Sequence, residues 1–317
     1  MAALILRRVG QAVPVLICAT IFAFLLLNAL PGNVAIAILG TNATPSSIAT
    51  VNRQLNLDQP LPVRYWNWLW AALHGNLGNS FIDHSSVLTT VAARVPVSLE
   101  LVVGALCVAL LLAIPTALLS VKRHGGIADR IAMVITILGL SLPNFVVALV
   151  LILVFAVRLH LFPAIGWVPL TESIGGNLRS LTLPVLAISF VFFGTYARLL
   201  RADMLQQLET EEYVVLARAK GRGEWWILLR HVLRNSAFSL IVVVGTNFGT
   251  LVGTTAIVET IFSLPGVGQL LVTSIYNRDA PMVQGVVLVL GIVVILVNLA
   301  TDLLHTTLDP RVRYGRS

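Results

Sequence analysis

Charge is scarce in this chain. Only 11% of its 317 residues are charged and 57% are hydrophobic, whereas soluble domains carry about 25% charged residues. A soluble core of this size has no room for so much apolar surface, so lipid must be the solvent for much of the chain. The net charge of +7 does not indicate nucleic acid, because the basic residues alternate with apolar runs instead of clustering on one face of a soluble fold.

The residue types that catalytic and metal sites need are also missing or badly placed. Of the two lysines, Lys122 precedes Arg123 and Lys220 precedes Gly221, which excludes the Gly-Lys-Ser/Thr loop that cradles a nucleotide phosphate. The two cysteines lie inside apolar runs, the six histidines lack metal-ligand spacing, and no Gly-x-Ser-x-Gly motif occurs. We therefore expect no catalytic residue, no metal and no cofactor in this chain.

Six apolar segments are long enough to cross about 30 Å of hydrocarbon at ~1.5 Å per residue. Their residues do not alternate in polarity, which excludes a β-barrel. The first run is longer than the apolar core of a cleaved signal peptide, so we expect it to remain as a span. The prediction is an all-α membrane protein with six transmembrane helices, at Val9–Leu30, Ser98–Val121, Ile131–Val157, Leu181–Leu200, Ser236–Ile261 and Val283–Leu304.

No carboxylate falls at the centre of a predicted span. Glu100, Glu259 and Asp302 all lie within about two turns of a span end, where a charged group reaches water at lower cost. Ion-coupled carriers usually keep an acidic residue at mid-membrane. The absence of a mid-membrane carboxylate disfavours an ion-coupled transporter or channel that acts without partner proteins. That class of protein stays open as an alternative function.

Lysine and arginine counts predict the orientation. Fifteen of the 21 lie in residues 1–8, 122–130, 198–235 and 305–317, and six lie in the longer alternate segments. Both termini are therefore expected in the cytoplasm. We expect three parts: residues 1–30 as the cytoplasmic N-terminus and first span, 31–97 as an extracytoplasmic segment, and 98–317 as the core transmembrane domain with a cytoplasmic loop at 201–235.

The extracytoplasmic segment contains an aromatic cluster formed by Tyr65, Trp66, Trp68 and Trp70. Aromatic residues of this kind often lie at lipid headgroups. They are equally suited to contact an external protein, and the sequence leaves both alternatives open.

The loop of residues 198–235 holds seven basic and five acidic residues, and within it Glu211 to Gly221 predicts a short helix. Thr210 is placed to cap its start, the two glutamates suit the first turn, and Gly221 stands where a left-handed residue usually ends a helix. A loop that only anchors topology would explain the basic residues but not the acidic ones. Spacing predicts one largely apolar face, made of Tyr213, Leu216, Ala217 and Lys220.

The same stretch resembles a known motif. Glu212-Tyr213-Val214 followed by Ala217-Arg218-Ala219-Lys220-Gly221 looks like the EAA loop of ATP-binding cassette (ABC) importer permeases, in particular of the peptide/nickel-type subfamily, although Val215-Leu216-Ala217 occupies the usual Glu-Ala-Ala register. Further motifs that resemble this subfamily are His74-Gly75-Asn76-Leu77-Gly78, Ser141-Leu142-Pro143-Asn144-Phe145, Glu259-Thr260-Ile261-Phe262, Asn277-Arg278-Asp279 and Leu308-Asp309-Pro310-Arg311.

The resemblance implies one of two different permease subunits of a peptide importer in the bacterial cytoplasmic membrane, similar to the first permease of such pairs. The implied partners are a second permease, cytoplasmic subunits that bind ATP and magnesium, and an extracytoplasmic substrate-binding protein. The implied mechanism is alternating access driven through the loop helix. The residues implied to dock the ATPase subunits are Glu212, Tyr213, Ala217, Arg218, Lys220 and Gly221.

Polar side chains within or near the spans are candidates for the translocation pathway, since such residues either join helices or line a cavity. Glu259, near the outer end of the fifth predicted span, either guards the external mouth, meets the binding protein or is a plain interfacial carboxylate, and the sequence leaves these alternatives open. A third functional class, a membrane scaffold without transport activity, also fits the loop helix. The pathway candidates are Ser141, Asn144, Asn247, Glu259 and Asn298.

Overall fold

A computed structural model describes residues 2–29, 34–39 and 43–308, and this part of the chain consists of helices and connecting loops without a β-sheet. The helices in chain order are α1 Ala2–Ala29, α2 Val34–Leu39, α3 Pro45–Gln54, α4 Leu61–Leu73, α5 Val87–Lys122, α6 Ile127–Ser141, α7 Asn144–Leu151, α8 Ile174–Thr210, α9 Glu212–Ala219, α10 Glu224–Ile227, α11 Leu233–Thr246, α12 Phe248–Phe262, α13 Val267–Tyr276 and α14 Ala280–Leu308.

Among the described residues, five helical stretches are individually long and apolar enough to span a membrane, and the number rises to seven if two bent helix pairs each count as one span. At ~1.5 Å per residue, the 36 residues of α5 and the 37 residues of α8 measure about 55 Å, well beyond the ~30 Å of hydrocarbon. The five stretches are Gly10–Ala29, Val87–Lys122, Ile174–Thr210, Glu224–Thr246 and Ala280–Leu303.

The predicted third span is not one continuous helix. α6 and the helical stretch Asn144–Arg158 meet at a bend of 104°. Pro143 has no N–H to continue the helix, and Leu142 before it is extended with ψ of 122°, as residues before proline usually are. The last seven residues of the stretch, Ile152–Arg158, form a π-helix.

The predicted fifth span is also interrupted. α11 ends at Thr246 and α12 begins at Phe248, with Asn247 between them. Beyond α12 the helix is broken, and α13 begins at Val267. Ser263 at this break is left-handed, with φ of 54°, and Pro265 prevents the helix from continuing.

The chain divides into two compact units, of which the first comprises Met1–Ser98 and Pro265–Leu296. In this unit α1 and α14 pack side by side. Leu27 contacts Ala280 and Val283, and a side chain at Gly291 would collide with Leu16. Because the contacts advance along α1 as they retreat along α14, the two helices run antiparallel.

A buried carboxylate ties the loop after α4 to the start of α14 in the same unit. Asp279 accepts hydrogen bonds from the Ser80 hydroxyl at 2.5 Å and from the Phe81 backbone N–H at 3.0 Å. The Ser80 hydroxyl in turn accepts from the N–H groups of Ile82 and Asp83. These bonds satisfy a polar loop that would otherwise bury unpaired groups.

The second unit comprises Leu99–Leu264 and Val297–Ser317, and α8 is at its centre. α6 crosses α8 where Gly139 meets Gly194: an added Cβ on Gly139 would lie 2.7 Å from the Phe190 carbonyl oxygen, and one on Gly194 would lie 2.6 Å from the Thr136 oxygen. Small residues at such a crossing let two backbones touch, which is how membrane helices gain packing contacts without a hydrophobic driving force.

Candidate functional site

A short helix follows the longest helix of the chain. α8 ends at Thr210, Glu211 is extended, and α9 begins at Glu212. Thr210 does not cap α9 as predicted, because its hydroxyl donates to the Gln206 carbonyl within α8. Glu211 occupies the N-cap position without a side-chain cap bond. The break in helical conformation at Glu211 is what makes α9 a separate element.

α9 ends where the sequence predicts, just before a left-handed Gly221. Gly221 has φ of +73°, its N–H donates to the Arg218 carbonyl at 2.9 Å, and the N–H of Arg222 donates to the Ala217 carbonyl at 3.2 Å. This pair of bonds is the Schellman arrangement, which satisfies carbonyls at a helix end. A residue with a Cβ would be strained by about 1–2 kcal/mol in this left-handed conformation, so the termination depends on glycine.

The two faces of α9 differ from the predicted ones. Val214 and Ala217 are buried and Tyr213 is half-buried, whereas Leu216 is exposed. Within the predicted face, Ala217 therefore belongs to the packed side of α9 and Leu216 to the open side, a division that spacing alone did not reveal. The face that remains open consists of Glu212, Val215, Leu216 and Ala219, with Arg218, Lys220 and Gly221 exposed at its end.

Tyr213 holds α9 to its neighbours through a chain of hydrogen bonds. Its hydroxyl donates to the side-chain oxygen of Gln207 at 2.7 Å, and the Gln207 amide donates to the hydroxyl of Ser236 at 2.8 Å. The rings of Tyr213 and Trp226 both pack on His231, at 5.8 Å and 4.9 Å between centroids. Side chains from α8, α9 and α11 are thus linked at one place.

Charged residues at the end of α9 and just after it contact the segment that contains α10. Arg218 donates from Nε to Glu224 at 3.0 Å, and the Arg222 guanidinium lies 4.7 Å above the ring of Trp226. From another part of the chain, the ammonium of Lys122 lies 3.9 Å above the ring of Trp225. Cation–π contacts of this kind stabilise by about 0.5–1 kcal/mol at exposed sites, and here they connect the end of α5 with the segment after α9.

A buried ion pair, which sequence reasoning missed, lies nearby. The Arg201 guanidinium of α8 donates from Nε to Asp129 Oδ1 at 2.8 Å and from Nη2 to Oδ2 at 2.9 Å. Asp129 also accepts from the Ser120 hydroxyl and from the Gly125 N–H. The only sequence signals were an acid in the first turn of α6 and an arginine near the end of a predicted span, and neither identifies its partner.

The candidate pathway residues are spread over several helices. Ser141 is exposed at the last position of α6, beside the break at Pro143. Asn144 begins α7 and donates from its side-chain amide to the Thr254 carbonyl at 3.3 Å. The structure therefore brings Asn144 against α12, the helix that starts after Asn247.

The two remaining candidates differ in burial, because Glu259 is buried and Asn298 is half-buried. Glu259 lies on α12 and is fully buried. Asn298 lies on α14, and its side-chain oxygen is buried without a hydrogen-bond partner among the described residues. A buried amide oxygen without a partner is unusual in folded proteins. Of the resemblance motifs, residues 309–311 lie outside the described part of the chain.

Comparison with known proteins gives a consistent result over the whole chain. Residues 105–314 match the model of the family described as binding-protein-dependent transport system inner membrane component, and residues 1–102 match the model of the N-terminal part of such a component. A putative peptide transport system permease protein of Brucella abortus (strain 2308) is 39% identical over 99% of this chain and 100% of its own length.

Two further relatives and one solved structure are similar. A probable peptide ABC transporter permease protein of Sinorhizobium fredii is 33% identical over 99% of this chain and 100% of its own. A glutathione transport system permease protein of Salmonella choleraesuis is 33% identical over 98% of each. A chain of the MetNI methionine ABC transporter in an inward-facing conformation superposes with a TM-score of 0.55 at 20% identity, covering 69% of this chain and 96% of that one.

Proposed function

This chain belongs to the family of binding-protein-dependent transport system inner membrane components and is a permease subunit of an ABC importer in a bacterial inner membrane, and we propose that the importer carries peptides. Relatives named for peptide and glutathione transport, aligned over nearly the full chain, support this cargo. The protein forms half of the translocation pathway, and a second, homologous permease forms the other half.

The topology we propose has six spans: α1, α5, the α6–α7 pair, α8, the α11–α12 pair and α14. Six crossings return the chain to its starting side, and the excess of lysine and arginine in residues 1–8, 122–130, 198–235 and 305–317 assigns that side to the cytoplasm. α9 then lies in the cytoplasm, and α3 and α4 belong to the extracytoplasmic side of the membrane.

α9 is the proposed coupling helix. The observation that carries this role is its two-sided packing: Val214 and Ala217 are buried against the chain itself, while Val215 and Leu216 remain exposed. We assign the open face, together with Glu212, Arg218 and Lys220, to the groove of a cytoplasmic ATPase subunit. Tyr213 and Ala217 hold the helix in place, and Gly221 ends it.

The mechanism follows from this division of roles. The cytoplasmic partners supply ATP hydrolysis with magnesium, and the extracytoplasmic binding protein delivers the substrate. Movement of an ATPase subunit displaces α9, and the Tyr213–Gln207–Ser236 bonds pass the displacement to α8 and α11. A change of angle between these helices and those of the second permease reorients the cavity by alternating access.

Two neighbouring glycines provide the test. A side chain at either Gly221 or Gly223 meets no atom within 4 Å, but only Gly221 is left-handed, whereas Gly223 has φ of −69°. Gly221→Leu is expected to abolish coupled transport in the reconstituted importer, with normal membrane insertion, and Gly223→Leu is the matched control. Equal transport and equal substrate-stimulated ATPase activity in both variants would remove α9 from the mechanism.

The energy source distinguishes the proposed importer from the alternative, an ion-driven carrier that acts alone. Uptake by the importer should stop when ATP is depleted and continue when an ionophore collapses the ion gradient. A purified chain that accumulates peptide without any companion would favour the alternative.

A further inference from the structure

We infer that α4 is a membrane-embedded helix, and that the side chains of Val63, Trp66, Trp70 and Leu73, here called the α4 stripe, are covered by phospholipid. These four residues follow one another at spacings of three, four and three, so they occupy one side of the helix. Each keeps between 45% and 73% of its surface exposed. The sequence left open whether this aromatic segment contacts lipid or an external protein.

The opposite side of α4 is fastened to α1. The Tyr65 hydroxyl shares a hydrogen bond with the Thr20 hydroxyl at 2.9 Å, and its ring lies 5.6 Å from that of Phe24. Arg64 donates to the Asn28 side-chain oxygen at 3.1 Å. Both helices belong to the first compact unit, so these contacts define the placement of α4 beside α1.

The depth of these contacts decides what surrounds the stripe. The apolar part of α1, Gly10–Ala29, measures about 30 Å at ~1.5 Å per residue and so matches the hydrocarbon thickness. Thr20 is nine residues from the end of that stretch, about 14 Å below the boundary. The Tyr65 side chain is much shorter than this depth, so the backbone that carries it lies inside the hydrocarbon layer.

The arrangement around the circumference of α4 agrees with this depth. At 3.6 residues per turn, the side that contacts α1, made of Arg64 and Tyr65, is centred roughly opposite the stripe. Asn67 borders the stripe on the side where Arg64 lies, and Arg64 reaches Asn28, one residue from the end of the apolar part of α1. The polar edge of α4 therefore points towards the headgroups and the stripe points sideways into the acyl chains.

Lipid is favoured over a protein partner because the neighbouring helix α1 also exposes apolar side chains. α1 presents exposed apolar side chains along the same stretch, among them Phe22 and Leu25, and these form its lipid-facing surface. An extracytoplasmic binding protein stays in water and does not reach below the boundary. In the proposed orientation the stripe occupies the outer leaflet, below the headgroup region.

Spin labels test the depth directly. In the complete transporter, reconstituted in phospholipid vesicles after Cys18→Ala and Cys107→Ala, a nitroxide is attached at Trp66→Cys, at Trp70→Cys or at the control Asn67→Cys. Labels at 66 and 70 should collide with oxygen, which concentrates in lipid, several-fold more than with a water-soluble nickel chelate, and the label at 67 should show the reverse preference. Nickel access at 66 and 70 equal to that at 67 would overturn the inference, as would exclusion of both reagents by a protein cover.

A second measurement needs no cysteine substitution. Vesicles of brominated phospholipid should quench part of the tryptophan emission of the intact transporter, and the Trp66→Phe, Trp70→Phe double variant should lose a share of that quenchable emission, since it removes two of the six tryptophans in this chain. An unchanged quenchable emission in the double variant would contradict a lipid cover.

Discussion

Breaking the ion pair between Asp129 and Arg201 on one side only should strongly destabilise the second unit. Asp129 is 4% exposed, and two parallel N–H···O bonds join it to the guanidinium. Removing one partner of such a pair leaves an unpaired buried charge and typically costs about 3–5 kcal/mol. Because Arg201 keeps 17% of its side chain exposed, we expect Arg201→Met to lower the free energy of unfolding by about 3 kcal/mol, the lower end of that range.

The double variant Asp129→Leu, Arg201→Met should recover most of this loss. Replacing both members of a buried pair by apolar residues is often neutral or stabilising, because the desolvation cost of both charges disappears. The Ser120 hydroxyl and the Gly125 N–H, which also bond to Asp129, would then lose an acceptor. For that reason we expect recovery to be incomplete.

Tryptophan fluorescence during denaturant titration in mixed micelles would measure these free energies. The matched control is Glu224→Gln, which breaks the Arg218–Glu224 pair, where both side chains are about half exposed. Exposed pairs contribute about 0.2–1 kcal/mol. If Arg201→Met is no more destabilising than Glu224→Gln, or if the double variant is as unstable as the single one, the argument from burial is refuted.

Further predictions concern helix packing, docking and the pathway. Gly194→Ala would place a Cβ 2.6 Å from a backbone oxygen and should lower the free energy of unfolding by about 1–3 kcal/mol. Gly253→Ala has open space around it and should leave that free energy unchanged or raise it by up to about 1 kcal/mol. Thermal unfolding of the two variants compares these effects. Leu216→Glu should weaken binding of the ATPase subunits in a pull-down while leaving the fold intact, and undiminished binding would contradict the docking face. Asn247→Leu and Glu259→Gln should lower peptide uptake in vesicles, and wild-type uptake after normal assembly would remove these residues from the pathway.

Part of the fold and of the site was readable from the chain alone because it depends on neighbouring residues. The apolar runs indicated membrane helices through their length, and α9 was predicted with its end at Gly221, because the glycine and the preceding helix lie within a few residues of each other. Pro143 carried the signal for the broken third span, but the span predicted at Ile131–Val157 runs through it as one segment. The backbone instead bends by 104° there.

Other features depend on residues that are far apart in the chain. Asp129 and Arg201 are 72 residues apart, and no local pattern marks them as partners. Leu216 and Ala217 are neighbours with similar apolar character, yet one is exposed and the other buried. Likewise, Trp66 and Trp68 belong to one aromatic cluster, yet Trp66 is exposed and Trp68 is half-buried. Local chemistry determined which segments are helical and where α9 ends, and only the packing of distant helices decided which side chains meet the protein and which face outward.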